Sequence, residues 1–226
     1  MEQFPVTTLP EEIQASVAER VGANSVADLY RLGATCKSMK ELTDRAGFYA
    51  ALDVFTFPSH LQMSDGVMQA CYANGNPSIL FLKGVQVFYT FDLQDEGLAL
   101  IKRAADAGFE RALNTYAMTH KVFWNNEEHL SGFTRESVER IDKNVRSLDW
   151  GCGRSHTDAF LTKKYEFMSK VIPLFYNCKC TPLVERDWDL RHIEDSKGKN
   201  LCYLCFWIKE LGLFYRDFKP MITRPW

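Results

Sequence analysis

LPEEIQASVAERVGANSVADLYRLGATCKSMKELTDRAGFYAAL, Leu9 to Leu52, decides how the chain reads. Pro10 suits the opening of a helix, because at the first helical position its missing N–H costs nothing. Glu11 and Glu12 then fall in the first turn, where the positive end of the helix dipole favours carboxylates. Ile13, Val17 and Val21 recur every four residues and make one apolar stripe. Gly22 and Asn24 end that helix, and Ser25 suits the N-cap of the next. Leu29, Leu32, Cys36 and Met39 follow at spacings of three and four. The pattern predicts amphipathic helices that pack into a bundle. The segment closes near Phe57-Pro58-Ser59, where proline disfavours a helical residue before it.

The 226 residues can hold one ordinary domain or two to three small ones. With 46% hydrophobic and 13% aromatic residues, the chain can build a packed core. A formal charge of −2 counts against a strongly electrostatic binder of nucleic acid or membrane surface. No apolar run approaches the roughly 20 residues of a membrane span. Glu2, Pro5, Pro10, Glu11 and Glu12 precede any apolar stretch, unlike a signal peptide. The expected location is therefore cytoplasmic or nuclear, with the seven cysteines as reduced thiols or metal ligands. Three regions are expected: residues 5–57, 64–150 and 151–226.

The middle region centres on NPSILFLKGVQVFYTFDLQDEGLALIKRAADAGFERALNTYAMTHKVFW, residues 76–124. Leu98, Ile101 and the run Ala104, Ala105, Ala107, Gly108 predict a helix whose small residues admit a close neighbour. Setting Ile79 and Lys83-Gly84 against Ala112 and Tyr116-Ala117 gives an internal offset of 33 residues. Ser137, Val138, Ile141 and Val145 are expected to form the closing helix of the second unit. Tyr89, Phe91, Tyr116 and Trp124 are candidates for a peptide-holding concave face, although aromatics at helical spacing are more often core.

The last region carries Cys178-Lys-Cys180, a 21-residue interval, and Cys202-Tyr-Leu-Cys205. Two close pairs separated in this way suit a tetrahedral site, each pair forming a knuckle and the interval bringing the knuckles together. Zinc is the expected occupant, as a structural ion replacing core that the segment is too small to build. His192 is the alternative ligand, and Cys152 with His156 forms a further CxxxH. A redox pair at Cys202 and Cys205 lacks the surrounding βαβ pattern and leaves the other two cysteines unexplained. Trp188 and Glu185-Arg186-Asp187, between the knuckles, are the expected exposed recognition loop. FWIKELGLFYRDF, Phe206 to Phe218, is expected to pack the knuckle against the repeat helices.

The first segment resembles an F-box, on its Leu9-Pro10 start, its Cys36-Lys37 pair and the order of its apolar positions. Met39 stands where that family usually has Trp, and a flexible thioether can fill the same pocket. The stretch ADAGFERAL resembles the turn between SEL-type repeats, relatives of the tetratricopeptide family. In such repeats helix pairs stack and bury a shared core. The order of F-box, helical repeat and cysteine-rich tail resembles a set of small plant F-box proteins. The tail segments WGCGRSHTDAF, FYNCKC and DLRHIEDSKGKNLCYLCFWIKELGLFYRDF carry that likeness. The resemblance implies a mainly α fold and a substrate-recognition adaptor of a Skp–cullin–F-box E3 ubiquitin ligase. Its partners would be a Skp-type adaptor, through it cullin, and a protein substrate. Leu9, Pro10, Ile13, Val17, Val21, Leu29, Leu32, Cys36 and Met39 would form the adaptor-facing and internal apolar surfaces.

Signs of catalysis are missing from the sequence. Gly151-Cys152-Gly153 lacks the rest of a phosphate-binding loop, no GxSxG elbow occurs, and no carboxylate pair stands out. His60, His120 and His129 have no evident partner in the sequence. The chain therefore reads as non-catalytic, binding neither nucleic acid nor membrane. One alternative is a zinc-stabilised, nucleic-acid-linked protein, whose affinity would fall steeply with salt. Another is a helical-repeat scaffold outside the ubiquitin pathway, which would not co-purify with the adaptor.

Overall fold

The computed structural model describes residues 8–24, 26–43, 46–56, 63–148, 156–180 and 201–218, and no strand occurs among them. Ser25, His60 and the Phe57-Pro58-Ser59 boundary lie outside the described residues. The chain divides into two compact units, residues 1–80 and 81–225.

In the first unit, α1 (Glu11–Asn24), α2 (Val26–Gly33) and α3 (Lys37–Thr43) pack against one another. The Pro10 carbonyl accepts from the N–H groups of Ile13 and Gln14, each at 3.0 Å, so the helix starts where the proline places it. Leu29, Met39 and Leu42 are buried between the three helices. A Cβ on Gly33 would lie 2.6 Å from Thr43 Oγ1, so the end of α2 runs close to the end of α3.

The next elements are α4 (Ala46–Ala51), a 3-10 turn (Val54–Thr56) and α5 (Asp65–Ala73). Asn76, fully buried, ties this segment to the start of the next helix. Its Nδ2 donates to the carbonyls of Tyr49 and Leu52, both at 2.6 Å. Its Oδ1 accepts from the backbone N–H of Ser78 at 2.9 Å and of Ile79 at 3.1 Å. One amide side chain thus caps the next helix and closes two carbonyls of the preceding segment, leaving none of its own polar atoms unpaired.

Helices α6 (Pro77–Tyr89), α7 (Gln94–Asp106) and α8 (Glu110–Trp124) complete two helix pairs, α5–α6 and α7–α8. Their turns repeat bond for bond at the 33-residue offset read from the sequence. The N–H of Gly75 donates to Tyr72 and that of Asn76 to Cys71; the N–H of Gly108 donates to Ala105 and that of Phe109 to Ala104. Gly75 (φ 69°) and Gly108 (φ 82°) both occupy the left-handed region, where a side chain is strained. Cys71 and Ala104, and likewise Ile79 and Ala112, are fully buried at equivalent positions. Ala107 and Gly108 therefore belong to the turn and not to the helix expected through them. Ala104 and Ala105 keep the buried, close-packing role.

The second glycine pair acts differently. A Cβ on Gly97 would meet the Phe88 backbone nitrogen at 2.5 Å, and one on Gly84 would meet the Ile101 nitrogen at 2.8 Å. Helices α6 and α7 therefore cross with backbone nearly touching backbone, an approach only glycine permits.

Around α8 are gathered α7, α9 (Arg135–Arg146), α10 (Asp158–Lys170) and α12 (Tyr203–Asp217), with α11 (Ile172–Tyr176) between α10 and α12. Thr134 and Thr157 cap α9 and α10 by accepting from the N–H of Ser137 and Phe160. Val138, Ile141 and Val145 are buried on α9, which packs against α8 and α12; α8 itself closes the second pair. Helix α12 is buried at every position from Cys205 to Tyr215. Its two buried charges answer each other: Lys209 Nζ lies 2.8 Å from Glu210 Oε1 and 2.9 Å from Glu139 on α9.

Tyr89 belongs to this core. It is fully buried and its ring meets Phe160 at 5.5 Å and Phe218 at 4.9 Å. Its hydroxyl lies 2.6 Å from Thr119 Oγ1, whose one proton goes to the Thr115 carbonyl, so Tyr89 is the donor. Of the aromatics considered for a peptide surface, Phe91 and Trp124 are exposed and Tyr116 is half-buried.

The two glycine roles separate in stability measurements. Gly97→Ala is expected to cost about 3 kcal/mol, because backbone cannot yield as a side chain can. Gly108→Ala, with no atom within 4 Å of its Cβ, should cost about 1 kcal/mol from left-handed strain alone. Denaturant midpoints of the two variants check this, and equal costs would contradict the close crossing.

Candidate functional site

The four cysteines converge although a long stretch of chain separates the pairs. Cys178 and Cys180 lie in the turn after α11, where the N–H of Cys178 donates to the Phe175 carbonyl. Cys202 is the N-cap of α12 and Cys205 sits in its first turn. Contact between α11 and α12 brings the pairs together. All four sulfurs lie within 4.8 Å of one another, with Cys178 and Cys202 at 3.9 Å and Cys178 and Cys180 at 3.3 Å.

The second knuckle is anchored from α9. Arg135 Nη1 donates to the Leu201 carbonyl at 2.8 Å, and its guanidinium lies over the Phe206 ring at 5.0 Å. Leu201 is buried beside it. Sequence reading missed Arg135, since nothing in spacing links residues 66 positions apart.

The donor set fits a metal ion. Four thiolates around an ion at about 2.3 Å would stand about 3.8 Å apart at the corners of a regular tetrahedron. The observed sulfur separations fall around that edge. The proton affinities are unequal. The backbone N–H of Cys205, with the neighbouring thiols, brings Cys202 down to about 7, while burial pushes Cys205 up. Four sulfurs this close repel one another once ionised, and a divalent cation at their centre offsets that repulsion. His156 instead stacks on Phe160 at 4.3 Å and is not in the sulfur cluster. His192, Cys152, Trp188 and Glu185-Arg186-Asp187 lie outside the described residues.

The structure sorts the nine apolar residues of the first segment. Leu29 and Met39 are buried; Pro10, Ile13 and Cys36 are exposed; Leu9, Val17, Val21 and Leu32 are half-buried. Ile13, 48% exposed, is the large apolar side chain on α1 most open to solvent. The stripe expected of α1 therefore faces outward as much as inward, and the core beneath it comes from α2 and α3.

Residues 53–150 match a family model of plant tetratricopeptide repeats, which covers both helix pairs and α9. Two Arabidopsis thaliana proteins that bear the F-box name are similar to this chain. One is 27% identical over 114 residues, 49% of this chain and 38% of the relative. The other is 25% identical over 113 residues, 49% of this chain and 69% of the relative. Over about half its length the chain is similar to plant F-box proteins. The match spans little more than a third of the first relative's length. No solved structure matches the chain. The chain thus joins tetratricopeptide-type helix pairs to a four-cysteine cluster compatible with zinc.

Proposed function

We propose that this chain is an F-box protein and the substrate-recognition adaptor of a Skp–cullin–F-box ubiquitin ligase, working in the cytoplasm or nucleus. The observation that carries the reading is its likeness to Arabidopsis F-box proteins, taken with an N-terminal helical unit that leaves Ile13 exposed and Leu9, Val17, Val21 and Leu32 half-buried. Leu9, Pro10, Ile13, Val17, Val21, Leu32 and Cys36 would meet the Skp-type adaptor, with Leu29 and Met39 supporting them from below. Cullin is engaged through that adaptor, and the repeat and cysteine-rich regions present the target. The chain itself does no chemistry in this reading: it raises the effective concentration of a substrate near the transferring subunits. Structural zinc on Cys178, Cys180, Cys202 and Cys205 would fix the start of α12 and supply folding energy that a small segment lacks.

Affinity for the adaptor should come from apolar burial, at roughly 25 cal/mol per Å² less the cost of association. Ile13→Asp, or Leu9→Ala combined with Pro10→Ala, is expected to weaken a co-expressed complex about 100-fold. Ile13→Asp should leave the melting temperature unchanged, since the side chain is exposed. Retention of wild-type co-elution by these variants would contradict the docking face.

The metal has its own test. The purified chain should carry about one zinc, and cobalt exchanged into it should show the charge-transfer absorption of tetrahedral thiolate ligation. Cys180→Ser should lower both zinc content and thermal midpoint. A wild-type chain free of metal and equally stable with or without chelator would make the four cysteines ordinary core and surface thiols.

A further inference from the structure

A cleft of about 640 Å³ opens in the second unit between the C-terminal end of α8, the outer face of α10 and the first turns of α12. Its lip carries three of the exposed large apolar side chains of that unit: Trp124 at 47%, Tyr203 at 61% and Leu204 at 56% exposure. Phe167 and Trp207 form the floor and are buried. The volume falls within the range of ligand-binding clefts, which is about 300 to 1,000 Å³. Aromatic side chains at a polar-rimmed depression mark a surface built for contact and not for water.

The rim carries the charge that names the occupant. Lys121 pairs with Glu127, and Lys163 Nζ lies 3.4 Å from Glu166. Both rim glutamates are thus committed to lysines. Lys170, in the last turn of α10, makes no ion pair among the described residues and leaves the rim net positive. Tyr203 and Leu204 are also the two residues between Cys202 and Cys205. The turn that gathers the sulfurs therefore also sets the lip of the cleft.

We propose that this cleft docks a peptide segment of a protein partner that offers bulky apolar side chains beside an acidic residue. The apolar side chains enter between Trp124 and Leu204, and the carboxylate meets Lys170. The inference deepens the adaptor reading, on which it rests, by placing the target-binding surface of the same chain. Helix-end lysine, aromatic wall and apolar lip each contribute a different part: charge selects, the wall gives area, and Leu204 excludes water around the anchor.

The test uses the full chain co-expressed with a Skp-type adaptor, and two fluorescein-labelled peptides on a Gly-Ser frame. One carries Leu-Trp-Asp-Glu and the other Leu-Trp-Lys-Lys, and binding is read by anisotropy. The acidic peptide should bind at least about tenfold tighter than the basic one, and Leu204→Asp should weaken it about tenfold or more. Lys170→Glu should bring the two peptides to within about twofold of each other. Leu204 and Lys170 are exposed, so unchanged melting temperatures separate these effects from unfolding. Equal binding of the two peptides, binding untouched by Leu204→Asp, or no binding of either would overturn the proposal. A dimer of the chain dispersed by Leu204→Asp would overturn it in favour of a second copy as occupant. Adaptor co-elution without peptide binding would sink the cleft alone. Peptide binding without adaptor co-elution would sink the ligase reading and keep the cleft.

Discussion

Helix α12 is the element on which the second unit depends. Buried from Cys205 to Tyr215, it cannot be placed by an amphipathic face meeting one neighbour, as most surface helices are. Its position has to be fixed by what starts it and what surrounds it. The start is the sulfur cluster, with Cys202 as N-cap and Cys205 in the first turn. The surround is α8, α9 and α11, which meet it with Phe206, Leu213 and Phe214 fully enclosed. Arg135 holds the approach to the helix by binding the Leu201 carbonyl from α9.

Such a helix carries charges at a risk. Lys209 and Glu210 lie within two per cent of complete burial, and an isolated charge there would be strongly destabilising. They survive because Lys209 is shared between Glu210 and Glu139. A buried pair of this kind adds little net stability but penalises any packing in which the partners separate. The register of α12 against α9 is thereby specified by charge as well as by apolar contact. The lip of the cleft, at the start of the same helix, inherits that positioning.

The sequence showed the repeat at Ile79 and Ala112, and the structure adds a second demand at the same spacing. A left-handed turn calls for glycine at Gly75 and Gly108, and the flanking helices call for small or apolar residues at Cys71, Ala104, Ile79 and Ala112. The cysteine cluster was legible for a similar reason, as pair spacing carries the geometry of a knuckle. Other features had no local signature. Asn76 is an ordinary turn residue by sequence, yet it binds carbonyls 24 and 27 positions away. Tyr89 looked like its exposed aromatic neighbours until Thr119, 30 residues on, supplied its acceptor. Lys209 and Glu210 carry no local sign of burial in the sequence, and only the packing around α12 reveals it. The cleft lip left a partial trace: Tyr203 and Leu204 are bulky apolar residues between two cysteines whose sulfurs converge with those of Cys178 and Cys180.

The proposed division of labour places adaptor docking on the first unit and target presentation on the second. Hydrogen exchange of the full chain, with and without a bound Skp-type adaptor, measures that division directly. The account predicts that the adaptor slows exchange in α1, α2 and α3 while the amides of α8, α10 and α12 keep their free-state rates. Protection appearing on α8, α10 and α12 in place of the N-terminal helices would contradict it.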